Sequence, residues 1–292
     1  MSYDVNTQLV DKVWEDTTKG LRKEVINFRY CSIVKANELS KCLVNIIHIE
    51  NLDQKVHKSN YISEDNIGNE FWIEMGHALT AIDCYVEEFL KQMFMNETSK
   101  CYIKTKSNGT VIFTMRLKRI EFHGYYYEQD AIKMFELAKL YKENGVKMFK
   151  GEFFLFAHNY FNLAAKCLLA FGPVDEIDEV LKDTQLTKKE WEELLHNVYI
   201  NISACLIKEK RYDEIIPIMN FVHKQDNPSE KAIFRLATAY LNIYQYEEAK
   251  KTIEKIDYKS NKDLVQLMSK IQHDWKNSKD KDKDMVKKML FG

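Results

Sequence analysis

Chemistry in a folded chain needs side chains that can ligate, attack or carry protons, at spacings that bring them together. This sequence holds eight histidines and six cysteines. The cysteines (Cys31, Cys42, Cys84, Cys101, Cys167 and Cys205) are scattered, with no C-x-x-C and no Cys/His cluster of the kind that holds zinc. No His-Asp-Ser or Cys-His pairing occurs at motif spacing, and His48 and His158 lie within apolar runs, where a histidine reads as a core or boundary residue. Glu87-Glu88 and Glu192-Glu193 are adjacent rather than facing, so a pair of carboxylates flanking a glycosidic bond has no support. Neither phosphate-cradling pattern, G-x-x-x-x-G-K-[ST] or G-x-G-x-x-G, is present. Tyr125-Tyr126-Tyr127 with His123 make an aromatic cluster, read as a wedge between two halves of the chain or as a contact for a ligand or partner. The chemistry these residues leave is recognition, with no metal or cofactor implied.

The elements that must present any recognition surface divide the 292 residues into two textures. The 43 Lys and Arg against 44 Asp and Glu give a net charge of −1, so there is no overall basic field for nucleic acid. The longest apolar runs, such as Phe153 to Ala157, are about five residues against the roughly 20 a bilayer needs. MSYDVNTQLVDKVWEDTTKG lacks a cationic-then-apolar leader, and the expectation is a soluble intracellular chain with reduced, part-buried cysteines. Before residue 122, RKEVINFRYCSI, KCLVNIIHIEN, EFWIEMG, SKCYIKT and TVIFTMRLKRIEF read as strands, and Ser107–Thr110 as a tight turn between two of them. ALTAIDCYVEEFLKQMF sets Ala81, Tyr85, Phe89 and Met93 four apart, the stripe of a helix lying on a sheet. The period turns helical from about Tyr125. Tyr212-Asp213-Glu214-Ile215 stands over Tyr246-Glu247-Glu248-Ala249 at an offset of 34, the tetratricopeptide period. A helix pair begins near Gly145, a second near Lys188 and a third near Pro228, and a last helix from Asn261 runs into the charged tail. The expected fold is α+β over residues 1–122, an antiparallel sheet with one helix, then an all-α array over 126–292.

This order resembles the large FKBP-type immunophilins that carry tetratricopeptide repeats, and it implies an FKBP-like half-barrel for the first domain. EFWIEMGHALTAIDCYVEEFLKQM is similar to the family's F-x-F-x-x-G, Val-Ile, Gly-Trp and helix segment: Phe71, Ile73 and Gly76 match, Ala81-Ile82 approximate Val-Ile, and Met93 closes the helix. NETSKCYIKT and GTVIFTMRLKRIEF are similar to its last two strands. The pocket departs from the family. Cys84-Tyr85 stand where the floor tryptophan belongs, the Phe-Asp pair of an earlier strand is missing, and the long pocket loop is cut to KTKSNGT. Prolyl isomerisation lowers a barrier of about 20 kcal/mol by holding a twisted imide in an aromatic cup. Phe71, Ile73, Ala81, Ile82 and Tyr85 are therefore read as pocket remnants of a domain without isomerase activity.

In the repeats the resemblance implies a carboxylate clamp for the Glu-Glu-Val-Asp end of a ninety-kilodalton heat-shock chaperone. Lys142 takes its first position, Asn201 the third, and Lys231 and Arg235 the last two, while Val146 replaces an Asn or Thr. Lys142 with Val146 and Lys231 with Arg235 each share a helix face. Losing one polar arm weakens such a clamp by roughly 1–2 kcal/mol or turns it to another acidic peptide. Family members with a similarly degenerate first domain imply a protein kinase of casein kinase I type as partner, and altered kinase activity or turnover in circadian regulation. The setting implied is cytoplasmic with nuclear access. Two alternatives stay open: a co-chaperone in small-RNA pathway assembly, and a weakly active prolyl isomerase. Met285, Met289, Leu290 and Phe291 with Lys287 and Lys288 suit in type the calmodulin-binding helix end of the large immunophilins, beside the reading of a solvated helix.

Overall fold

A computed structural model of the chain describes residues 12–29, 32–53, 57–105, 109–173, 176–222 and 229–291. The alternation of the first half becomes a single sheet of β1 (Val13–Asp16), β2 (Leu21–Asn27), β3 (Lys41–Glu50), β4 (Glu70–Glu74), β5 (Thr98–Lys104) and β6 (Thr110–Glu121). All pairs are antiparallel, in the order β1-β2-β5-β6-β3-β4. Five strands stand on the expected segments. β1 is an addition, four residues at the edge that alternate between exposed and half-buried. Ser107 and Asn108 of the expected turn lie outside the described residues, but Lys104 pairs with Thr110 on its flanks. Pro228 and Cys31 also lie outside them.

α1 (Ala81–Gln92) begins where the Thr80 hydroxyl accepts from the Asp83 amide. Its buried stripe differs by a rotation from the one expected. Ile82, Val86, Phe89, Leu90 and the following Met93 are buried, while Ala81 and Tyr85 lie on its flank. A strict four-residue step drifts around a 3.6-residue helix, so the face that stays on the sheet steps by four and three in turn. These side chains close on Val44, Ile46, Phe113, Met115 and Leu117 of the sheet, all fully buried.

Two compact units result, Met1–Phe156 and Ala157–Gly292. The first includes α2 (Ala131–Lys150), opened by an Asp130 cap. Tyr141 of α2 is fully buried and donates its hydroxyl to the Glu38 carbonyl at 3.2 Å. Its ring lies against Gly76, whose φ is +79° and where a Cβ would come within 2.7 Å of the Tyr141 oxygen. That glycine is required twice, by its backbone and by its neighbour.

The helical part continues with α3 (Phe154–Leu169), α4 (Asp178–Leu181), α5 (Lys188–Lys208), α6 (Tyr212–Val222), α7 (Glu230–Asn242), α8 (Tyr246–Ile253) and α9 (Lys262–Phe291). The repeat expected from sequence reappears in the turns. After α2, α5 and α7, a non-glycine residue takes positive φ: Glu152, Lys210 and Tyr244. The residue after each donates back to Met148, Leu206 and Tyr240 respectively. That six-to-one bond satisfies a carbonyl the helix end leaves open. Lys210 and Tyr244 stand at the 34-residue offset. α6 carries Pro217 in its interior. The first turns of α9 bury Leu264, Leu267, Met268 and Ile271 against Ile233, Ala237 and Ile253, covering the end of the array. α9 then runs on as helix through the tail, where Met285 and Met289 are exposed; the side chains of Lys287, Lys288, Leu290 and Phe291 lie outside the description. No helix among the described residues is long and apolar enough to cross a membrane.

Candidate functional site

In the first unit the remnant residues come together around α1. Ile73 and Ile82 are buried in the core, Phe71 and Tyr85 pack against it, and Ala81 starts the helix half-exposed. Tyr85, at the tryptophan position, turns its ring edge-on to Phe156 with centroids 5.1 Å apart, and burial raises its hydroxyl pKa. The space between helix and sheet is filled. Phe89 meets Phe113 edge-on at 5.9 Å and Trp14 at 6.0 Å. An indole does enter this core, from β1, the strand that alternation did not show.

Two buried carboxylates that sequence reasoning missed organise the rim. Asp83 accepts from the Ser59 hydroxyl and from the amides of Asn60 and Tyr61 at 2.9 and 3.1 Å. Glu87 accepts from the amides of Gly76, His77 and Ala78 at 2.8, 3.2 and 2.9 Å, and from the Tyr61 hydroxyl at 3.4 Å. Burial pushes the Glu87 carboxyl up to about 7, while the three amides and Lys91 pull the other way. Their i,i+4 spacing was the signal available: two acids on one stripe of a helix otherwise apolar on that side. What α1 does with them is tie down the loops at 59–62 and 76–78. A further buried pair, Lys23 with Glu97, joins β2 to the start of β5, and Glu97 also accepts from the Phe94 amide at 3.0 Å and the Ser99 hydroxyl at 2.7 Å.

Of the clamp residues, Lys142 and Val146 sit one turn apart on α2 in the first unit, both half-buried. Asn201 on α5 and Lys231 and Arg235 on α7 belong to the second. Lys231 is exposed and without an ion pair among the described residues. Arg235 is half-buried, lies over the Phe234 ring at 5.8 Å, and has a buried Nε with no hydrogen-bond partner. Burial lowers its pKa, and it lies near enough to Cys205, one turn along α5 from Asn201, to pull that thiol down against the burial that pushes it up to about 12. An oxyanion reaching Arg235 would satisfy a donor that folding leaves open.

The histidines differ from expectation at one position. His158 is mostly buried 3.8 Å from Glu209, but His48 is exposed beside Glu50, because a register shift on β3 turns it outward. None of the described cysteines forms a disulfide: Cys42, Cys101, Cys167 and Cys205 are buried, and Cys84 is half-buried. Phe122 meets Tyr125 edge-on at 5.3 Å and Tyr125 stacks on Tyr127 at 5.7 Å, with both tyrosines exposed. A recess of about 300 Å³ beside Asn51, Asp53, His57 and Thr110 has no Phe, Tyr or Trp among its lining residues, unlike an aromatic cup.

The family described as "BDBT FKBP like N-terminal" matches residues 14–122, and "Bride of doubletime-like, TPR domain" matches residues 130–217. A tetratricopeptide repeat family matches residues 206–271. Protein Bride of doubletime of Drosophila melanogaster is 34% identical over 282 residues, 95% of this chain and 97% of that one. Peptidyl-prolyl cis-trans isomerase FKBP42 of Arabidopsis thaliana is 40% identical over 57 residues, covering 20% of this chain and 16% of its own. The crystal structure of residues 1-211 of CG17282 superposes with a TM-score of 0.60 at 33% identity, covering 71% of this chain and 98% of that one. An FKBP-like sheet domain followed by tetratricopeptide helices, matched along nearly its whole length, places the chain in the Bride of doubletime family.

Proposed function

We propose that this chain is a non-catalytic adaptor that binds a protein kinase of casein kinase I type and modulates its activity or stability in circadian regulation, in the cytoplasm and the nucleus. The degenerate FKBP-like domain spans residues 1–122 and the repeat domain 126–292. The observation that carries the adaptor reading is the filled interior of the first unit. Phe89, Phe113 and Trp14 occupy the space between helix and sheet, and the α1 carboxylates hold the rim loops in place of a substrate. The kinase reading is supported by the 34% likeness to a protein whose name ties it to doubletime. Mixing the full chain with a casein kinase I catalytic domain tests it: a complex is expected in gel filtration, and two separate peaks at micromolar concentrations overturn the partner. A proline-peptide isomerase assay is expected to run at the uncatalysed rate, and turnover comparable to an active FKBP overturns the non-catalytic reading.

Arg235 supports a second ligand, the acidic C-terminus of a ninety-kilodalton chaperone, held in the second unit by Asn201, Lys231 and Arg235. A labelled Glu-Glu-Val-Asp peptide should bind the full chain and lose about ten-fold or more in a Lys231→Ala/Arg235→Ala variant, since two charge-assisted contacts go at once. Equal binding by both proteins removes the clamp.

A further inference from the structure

The outer face of the sheet carries a cluster of cations on β6. On β6, Met115 and Leu117 point into the core and are fully buried, and Ile120 packs against it. Arg116, Lys118 and Arg119 lie on the other side, the two arginines exposed. Three cations reach one side in four positions because the ladder slips. Leu43 of β3 faces Arg119 and Val44 faces Leu117, so Lys118 is an extra residue in a bulge. Bulges re-aim side chains, and this one sets Lys118 and Arg119 together.

The charge around them is unbalanced. Most carboxylates of this sheet are taken: Asp16 by Lys19, Glu15 and Glu24 by Arg22, Glu50 by Lys100, Glu70 by Lys118 and Glu74 by Lys41. Glu121 at the end of β6 makes no ion pair among the described residues and stands across from Lys41 rather than from an arginine. The side chains of Arg116 and Arg119 have no ion pair or hydrogen bond among the described residues. Directly across from Arg116 stand Thr98 and Asn45, and across from Arg119 stands Leu43, so no acid opposes either. Leu43 is in turn paired with Trp72 of β4, an indole 42% exposed. The face is thus two unpaired arginines, their Cα atoms about 10 Å apart along the strand and their long side chains able to converge, with a lysine between them, threonine and asparagine at one side and an apolar shelf at the other.

We propose that this face binds a phosphorylated segment of a protein partner, its phosphate on Arg116 and Arg119 and a neighbouring apolar side chain on Leu43 and Trp72. Charge complementarity selects the occupant: two guanidinium forks offer more donors than one carboxylate accepts, and a phosphate dianion can take them. The apolar shelf beside the cations fits a peptide rather than a free ion. This surface goes beyond the adaptor reading and does not depend on the kinase or on the chaperone peptide.

Fluorescence anisotropy on the full chain tests it with a labelled pool of short peptides, random except for a central phosphoserine. Pools with serine or glutamate at that place are run beside it. The phosphoserine pool is expected to bind, and Arg116→Ala/Arg119→Ala to weaken it about ten-fold. Arg116→Lys/Arg119→Lys should also weaken it, because the charge stays and the fork is lost. Arg22→Ala, on the same sheet but already paired, should leave it unchanged. No binding by the phosphoserine pool, or undiminished binding by the double alanine variant, overturns the site. Equal binding of the serine or glutamate pool overturns the phosphate assignment, and full competition by equimolar inorganic phosphate reduces the site to one for a free ion. Neither arginine contributes to the core, so unchanged melting of the variants is the folding control.

Discussion

Glu87→Gln keeps the shape of a buried side chain and removes its titration, which makes it a test of which force governs the rim. Two forces oppose each other there. Burial disfavours the carboxylate, and three amides from Gly76, His77 and Ala78 favour it. Burial wins, with the carboxyl near 7 against an ordinary 4.5. Below pH 4.5 the group is protonated in the folded and unfolded chain alike, and it costs the fold nothing. From 4.5 to 7 the unfolded chain has released its proton and the folded chain retains it, so stability falls as pH rises through that window and levels above it. At about 1.4 kcal/mol per pKa unit the fall amounts to about 3 kcal/mol. Glutamine resembles the protonated acid, one acceptor and one donor, and has no such fall. His158 and His196, whose pKa values burial lowers, tilt wild type and variant equally and in the opposite sense, so the difference between the two proteins isolates Glu87. Urea denaturation from about pH 4.5 to 7.5, read by hydrogen exchange in peptides covering residues 70–90, confines the measurement to the first unit. The variant should gain about 3 kcal/mol on wild type across the window. A constant difference, or a variant that loses ground as pH rises, would mean that the amides outweigh burial and that the reasoning is wrong.

Gly76→Ala should lower stability by about 1–3 kcal/mol, since the residue is held at positive φ and its Cβ would enter the Tyr141 ring; thermal melting reads it, and an unchanged midpoint contradicts the close approach. Lys23→Met should cost about 3–5 kcal/mol by leaving the Glu97 carboxylate buried without its cation, a loss visible in urea midpoints.

Those features were unequally legible in the sequence. The repeat half reads well because its determinants are local: helix period, Thr187 and Ser229 caps, and a turn recurring at the offset of 34. Strands β2 to β6 read from alternation, whereas β1 is too short to show a period. The rotation of α1 did not read, because which of two adjacent stripes faces the sheet is settled by what the sheet presents. The buried places of Asp83 and Glu87 did not read for the same reason. Their partners are loop amides some ten to twenty-five residues away, and composition cannot show that those amides converge. The outward set of Arg116, Lys118 and Arg119 depends on a slipped register, which belongs to two strands together and to neither sequence alone.

The strand order also sets a timetable. Val44 pairs with Leu117 and Leu21 with Ile103, so the middle of the sheet closes loops spanning most of the first unit before any bond rewards the closure. The later helices meet across turns of a few residues, as α5 meets α6 through Lys210 and α7 meets α8 through Tyr244. Local pairings form fast and distant ones slowly. A chain diluted out of denaturant therefore completes its helix pairs while the sheet is still searching for its register, and its refolding trace has a helical phase ahead of a slower one that brings Trp14 beside Phe89.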